Sequence, residues 1–131
     1  MSPALQILLV FFGGALGAAG RHWVSGLVAR RAGETFPWGT LVVNVSGALA
    51  LGLLAGAVLA VGTPAESYAW SFLAVGVLGS YTTVSSFSLQ TLELIRGGEG
   101  GQAFWNVILS FVLCLAAATL GLWGGLALTA V

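Results

Sequence analysis

Apolar residues fill this chain in four long runs, and polar positions collect in the short gaps between them. The runs cover residues 3–25, 38–61, 68–95 and 103–128. Each is as long as the ~20 residues an α-helix needs to cross hydrocarbon. The first is expected to continue toward Arg31 as an amphipathic helical end. Gly33, Glu34 and Pro37 mark the first gap, and Gly62, Thr63 and Pro64 the second. Gly97, Gly98, Gly100 and Gly101, with Arg96 and Glu99 among them, mark the third. The apolar residues run on without alternation, which argues against a β-barrel. In lipid a helix satisfies its own backbone hydrogen bonds. The pattern therefore predicts one all-α integral membrane domain over residues 1–131, built of four transmembrane helices. The first run lacks a positive n-region and extends past the length of a signal-peptide h-region, so it is expected to remain as a span.

Polar residues inside the runs are the exceptions that carry chemistry. The most concentrated set is GSYTTVSSFS at residues 79–88, in the third run. Hydrocarbon cannot hydrogen-bond a hydroxyl or a freed carbonyl, so such a stretch should line a site or a path. Around Gly79-Ser80-Tyr81-Thr82 the helix can unwind and free carbonyls able to hold Na⁺ or another hard cation. The alternative is a kink at Gly79 with Ser and Thr bonding back to the preceding turn. Asn44, in the second run, needs partners for both amide ends, as interhelical glue or as part of a path. In the fourth run Asn106 and Ser110 are four apart and share a helix face that Cys114 continues. In the third, Val84 and Ser88 share one line and Phe87 and Thr91 the next. Three polar stripes on three spans fit a wetted path better than three unrelated contacts.

The glycines add packing. Gly13 and Gly17 form a GxxxG pair, as do Gly52 and Gly56. Such pairs let membrane helices approach closely, and predict a compact bundle.

Composition agrees with the class and narrows the function. The chain is 58% hydrophobic and only 6% charged, far below the ~25% charged residues of a soluble domain. Net charge is zero and lysine is absent, so there is no basic footprint for nucleic acid. The single cysteine excludes an intrachain disulfide. No acid–base pair or nucleophile–base set falls within the spans, which argues against an enzyme. No Asp, Glu, Lys or His lies in the middle of a span; Glu93, Arg21 and His22 lie near span ends, where solvated or snorkelling roles are expected. A proton-coupled carrier needs a titratable group in the membrane. A path of hydroxyls, an amide and an aromatic ring instead suits an anion that must be dehydrated without being trapped.

Three segments carry a family resemblance. GGALGAAGR at residues 13–21, GTLVVNVSG at residues 39–47 and GSYTTVSSFS at residues 79–88 resemble, in order, the signature segments of the CrcB/Fluc fluoride channel family. The likeness spans the whole chain in length, span count and motif spacing. It implies a passive channel that exports F⁻ across the plasma (inner) membrane of a bacterium and lowers fluoride toxicity in the cytoplasm. It also implies a third helix broken mid-membrane and an antiparallel, dual-topology homodimer in membrane lipid, with a structural Na⁺ at its centre. By motif, the Na⁺ carbonyls fall on Gly79 and Thr82 of both subunits. The pore asparagine falls on Asn44 and the second aromatic of a phenylalanine pair on Phe87. Ser85, Ser88 and Ser110, with Asn106 near the end, would complete the polar track. The first position of the pair is Val84, which supplies bulk but no aromatic quadrupole.

Two other functions compete. A small multidrug-type exporter would need a carboxylate in the first span, and residues 4–19 hold none. A non-transporting membrane subunit is the other. Charge bears on orientation as well. With four spans, Arg30, Arg31 and Arg96 share one side of the membrane, with Arg21 leaning the same way. The positive-inside rule then favours a single orientation. An antiparallel homodimer needs both, and an oppositely biased paralogue would allow a heterodimer instead.

Overall fold

The computed structural model describes residues 2–62, 64 and 67–130, so Thr63 of the second gap lies outside the described residues. Helix α1 is Pro3–Ala32 and α2 is Trp38–Val61. The third apolar run opens with a single turn, α3 (Tyr68–Trp70), and continues as a π-helical stretch, Ser71–Leu78. A further turn, α4 (Gly79–Tyr81), is followed by α5 (Ser85–Arg96) and then α6 (Gly100–Thr129). No strand occurs among the described residues. Four helical stretches are long and apolar enough to cross a membrane: Pro3–Ala32, Trp38–Val61, Tyr68–Arg96 and Gly100–Thr129. The chain is a multi-pass membrane protein.

Local chemistry accounts for the ends. Pro3 opens α1, where a missing N–H costs nothing. Gly62 closes α2 in the left-handed conformation and returns its N–H to the Val58 carbonyl. Gly100 and Gly101, expected in the third gap, instead form the first turn of α6, where the Ala103 N–H reaches the Glu99 carbonyl. The Ser67 hydroxyl caps α3 by accepting from the Trp70 N–H at 3.2 Å.

Glycine brings the backbones together. The most extensive packing joins α2 to α6. A Cβ at Gly56 would lie 2.9 Å from Gly125 Cα, and one at Gly52 would lie 2.9 Å from the Leu122 nitrogen. Gly121 and Gly125 meet the Leu53 and Ala57 nitrogens in return, at 2.9 and 2.8 Å. On the other side of the bundle, Gly13 and Gly17 of α1 face the π-helical stretch. A Cβ at Gly13 would sit 2.6 Å from the Phe72 carbonyl oxygen, and one at Gly17 would sit 2.9 Å from the Val77 carbonyl carbon. The core is correspondingly thin: the largest fully buried side chains are Val43 and an asparagine, Asn106. Large apolar side chains such as Phe11, Phe111, Leu120 and Trp123 cover the outside, as a lipid-facing surface requires.

Candidate functional site

The site is built where the third run leaves the helix. Thr82 is extended (φ −78°, ψ 157°), so the chain pays out between Tyr81 and Ser85 before α5 begins. The Thr82 N–H still bonds the Leu78 carbonyl at 3.1 Å, and its hydroxyl bonds the same carbonyl at 3.0 Å. Back-bonding and opening therefore occur together, at the Thr–Thr pair rather than at Gly79.

Asn44 of α2 joins this opened turn through both ends of its amide. Its Nδ2 donates to the Thr83 carbonyl at 2.8 Å, and its Oδ1 accepts from the Thr83 N–H at 2.8 Å. Thr83, itself buried, then caps α5: its hydroxyl accepts from the Ser86 N–H at 3.2 Å and meets the Ser85 hydroxyl at 3.2 Å. These bonds take donors away from the helix. In an unbroken helix the Thr83 N–H would serve the Gly79 carbonyl and the Ser86 N–H the Thr82 carbonyl. Both carbonyls thus lose their helical donors. The Thr82 carbonyl is reached instead by Nη1 of Arg21, at 3.5 Å.

A cavity of about 740 Å³ opens beside the turn, between α1, the loop at residues 33–37, the start of α2 and α5. Arg21, His22, Thr83, Ser86, Gln90 and Glu93 are among its lining residues. It leads from charged groups at one end of the bundle to the hydroxyls of the opened turn.

The sequence-derived residues divide among three places. Asn44, Gly79 and Thr82 come together at the opened turn. Asn106, 2% exposed, donates from Nδ2 to the Thr91 hydroxyl at 2.9 Å, and Thr91 in turn donates to the Phe87 carbonyl at 2.7 Å. That relay ties α6 to the turn of α5 that carries Phe87. Val84, Ser85 and Ser88 lie on the outside of α5; Val84 is 76% exposed. Ser110 is half-buried one turn beyond Asn106. None of Asn44, Val84, Ser85, Phe87, Ser88, Asn106 and Ser110 lines the cavity.

The structure adds roles that the sequence pattern leaves open. Thr83 is the second member of the Thr–Thr pair, and its backbone is what Asn44 holds. Thr91 bridges Asn106 to Phe87. Arg21, expected at a solvated span end, turns inward to the Thr82 carbonyl. Ser46 and Tyr81 pair their hydroxyls at 2.9 Å beside the turn. Asn and Thr in apolar runs signalled that partners must exist, without naming them.

Comparison with known proteins gives one consistent result. A family model described as CrcB-like protein, Camphor Resistance (CrcB), matches residues 8–122. The chain is 54% identical over 119 residues to a protein of Rhodopseudomonas palustris (strain BisB18) named Fluoride-specific ion channel FluC 2, covering 88% of each. It is 52% identical over 120 residues to Fluoride-specific ion channel FluC of Opitutus terrae, covering 87% of each. With Fluoride-specific ion channel FluC 3 of Brucella suis it shares 48% identity over 120 residues, 91% of this chain and 90% of that one.

Proposed function

The chain belongs to the CrcB-like family, and from that premise we propose that it is a passive fluoride-selective channel. It exports F⁻ from the cell and lowers fluoride toxicity in the cytoplasm, working in the plasma membrane of a bacterium. The observation that carries this reading is the opened turn at residues 82–84, an uncharged polar site inside a stretch long and apolar enough to span a bilayer. Placed in that bilayer, it is a third helix broken mid-membrane. Hydroxyls, peptide N–H groups at the start of α5 and an aromatic edge attract an anion without a fixed charge to trap it. The family relatives are named as fluoride channels, which favours this reading over an exporter or a non-transporting subunit.

The working unit is an antiparallel homodimer in lipid. The outer face of α5, with Val84, Ser85, Ser88 and Leu89 exposed, supports this, because a polar track on that face needs a second subunit to close it off from lipid. Asn44, Phe87, Ser85, Ser88, Ser110 and Asn106 serve the pore, with Val84 lending only bulk at the position before the ring. Na⁺ is structural: Gly79 and Thr82 would hold it through backbone carbonyls, two from each subunit. Their loss of helical donors fits a hard cation, while Arg21 brings a rival positive charge to the Thr82 carbonyl. Bound there, Na⁺ would supply a fixed positive charge near the dimer axis.

Vesicles carrying the purified protein test the reading. F⁻ should leak out passively with little Cl⁻ movement and no dependence on a proton gradient. Equal F⁻ and Cl⁻ fluxes, or strict coupling to protons, would refute it. A heterodimer with an oppositely oriented paralogue is the second arrangement, favoured by the arginines Arg30, Arg31 and Arg96 on one side. Cysteine labelling of the termini in intact cells separates the two: labelling from both sides supports the homodimer.

A further inference from the structure

We infer that Asn44 is a positioning residue for the opened turn, acting by withholding the Thr83 N–H from the Gly79 carbonyl. The geometry is specific. Asn44 Oδ1 accepts that N–H at 2.8 Å and Asn44 Nδ2 donates to the Thr83 carbonyl at 2.8 Å, so one side chain engages both backbone polar groups of Thr83. A backbone N–H buried in this environment must have a partner. If Asn44 does not take it, the nearest acceptor in the helical sense is the Gly79 carbonyl, four residues back. Closing that bond draws residues 79–83 into a continuous helix and turns the carbonyl along the helix axis toward the N–H it serves. Asn44 therefore decides whether Gly79 presents a free oxygen, although it lies on another helix, 39 residues earlier in the chain.

The assignment changes what the asparagine does for the channel. With both amide ends engaged, Asn44 has one remaining amide hydrogen for an anion, so its larger effect runs through the backbone it holds. A side chain on α2 thereby sets the carbonyl geometry of the third span. The part of this inference that concerns Na⁺ rests on the cation role proposed above for Gly79; the part that concerns the helix does not.

Isotope-edited infrared spectroscopy of the full-length protein, labelled with ¹³C=O at glycine and compared with a Gly79→Ala reference, reads the Gly79 carbonyl directly. The wild-type band should sit at the higher frequency of a carbonyl with no amide donor, and should move when Na⁺ replaces N-methylglucamine. In Asn44→Ala the band should shift down to the helical position and lose its response to Na⁺. Thr83→Pro provides the second arm, since it removes the N–H while Asn44 stays, and extended Thr82 already suits a residue before proline. Its Gly79 band should keep the wild-type position. Combining Asn44→Ala with Thr83→Pro should restore that position, because no N–H remains to close the turn. An unshifted band in folded Asn44→Ala, or an upward shift in Thr83→Pro alone, would overturn the inference. A wild-type band indifferent to Na⁺, with the Asn44→Ala shift intact, would support the clamp and remove the cation role instead.

Discussion

Replacing Gly125 by alanine tests the packing that holds this bundle together. The added Cβ would lie 2.8 Å from the Ala57 nitrogen and 2.9 Å from Gly56 Cα, and it meets the Leu53 carbonyl oxygen as well. All three are backbone atoms of α2, so no side-chain rotation relieves the clash. Non-bonded carbons rest at about 3.5–4.0 Å, so α6 must withdraw by roughly 0.6–1 Å at this point. Gly52, Gly56 and Gly121 share the seam, and a local separation weakens their contacts too. In lipid there is no hydrophobic drive between helices to offset that loss, because hydrocarbon tails are as apolar as the interface. Overpacking of this kind costs about 1–3 kcal/mol, or roughly a fivefold to 150-fold change in the unfolding equilibrium. Gly101→Ala is the control: it sits in the first turn of the same helix with nothing within 4 Å of its Cβ. Both variants gain the helix propensity of alanine, so their difference isolates the steric effect. Equilibrium unfolding in mild detergent should place Gly125→Ala at least ~1 kcal/mol below Gly101→Ala. Equal stability of the two would refute the argument that these backbones are in contact.

Phe87→Ile should cut F⁻ flux from vesicles sharply while the protein stays assembled, because the ring edge at this position is the feature lost; Val84→Phe, which restores the aromatic pair that the family resemblance implies, should be tolerated. Full flux in well-folded Phe87→Ile would reduce the ring to packing. Asn106→Leu keeps the branched outline of a fully buried side chain but is larger and deletes the bond to Thr91, and should lower stability by at least about 1 kcal/mol in the same unfolding assay. Thr91 retains its own bond to the Phe87 carbonyl, so flux should fall less than in Phe87→Ile; an equal or greater fall would place Asn106 directly on the ion's path.

The sequence by itself determined the elements. A run of apolar residues long enough to cross hydrocarbon is helical wherever it faces lipid, so four spans could be read from run length alone. It also marked where polar groups would need partners: the Thr–Thr stretch, Asn44, and the Asn106–Ser110 face. Pairing was beyond it. A GxxxG pair at Gly52 and Gly56 states that one face of α2 is flat, but not that Gly121 and Gly125 of α6 fill it. The partner of Asn44 lies on a different span, and an asparagine's need for hydrogen bonds says nothing of which backbone answers it. The π-helical stretch Ser71–Leu78 leaves no compositional trace, since its widened turn accompanies contact between the α1 glycines and its carbonyls. Arg21 looked like a residue leaving the membrane, and only the packing of α1 against α4 turns its guanidinium toward Thr82. Local rules act within a helix, on run length and on neighbours three or four residues apart. Which freed donor meets which freed acceptor depends on how whole helices cross, and that is decided only when the backbones come into contact.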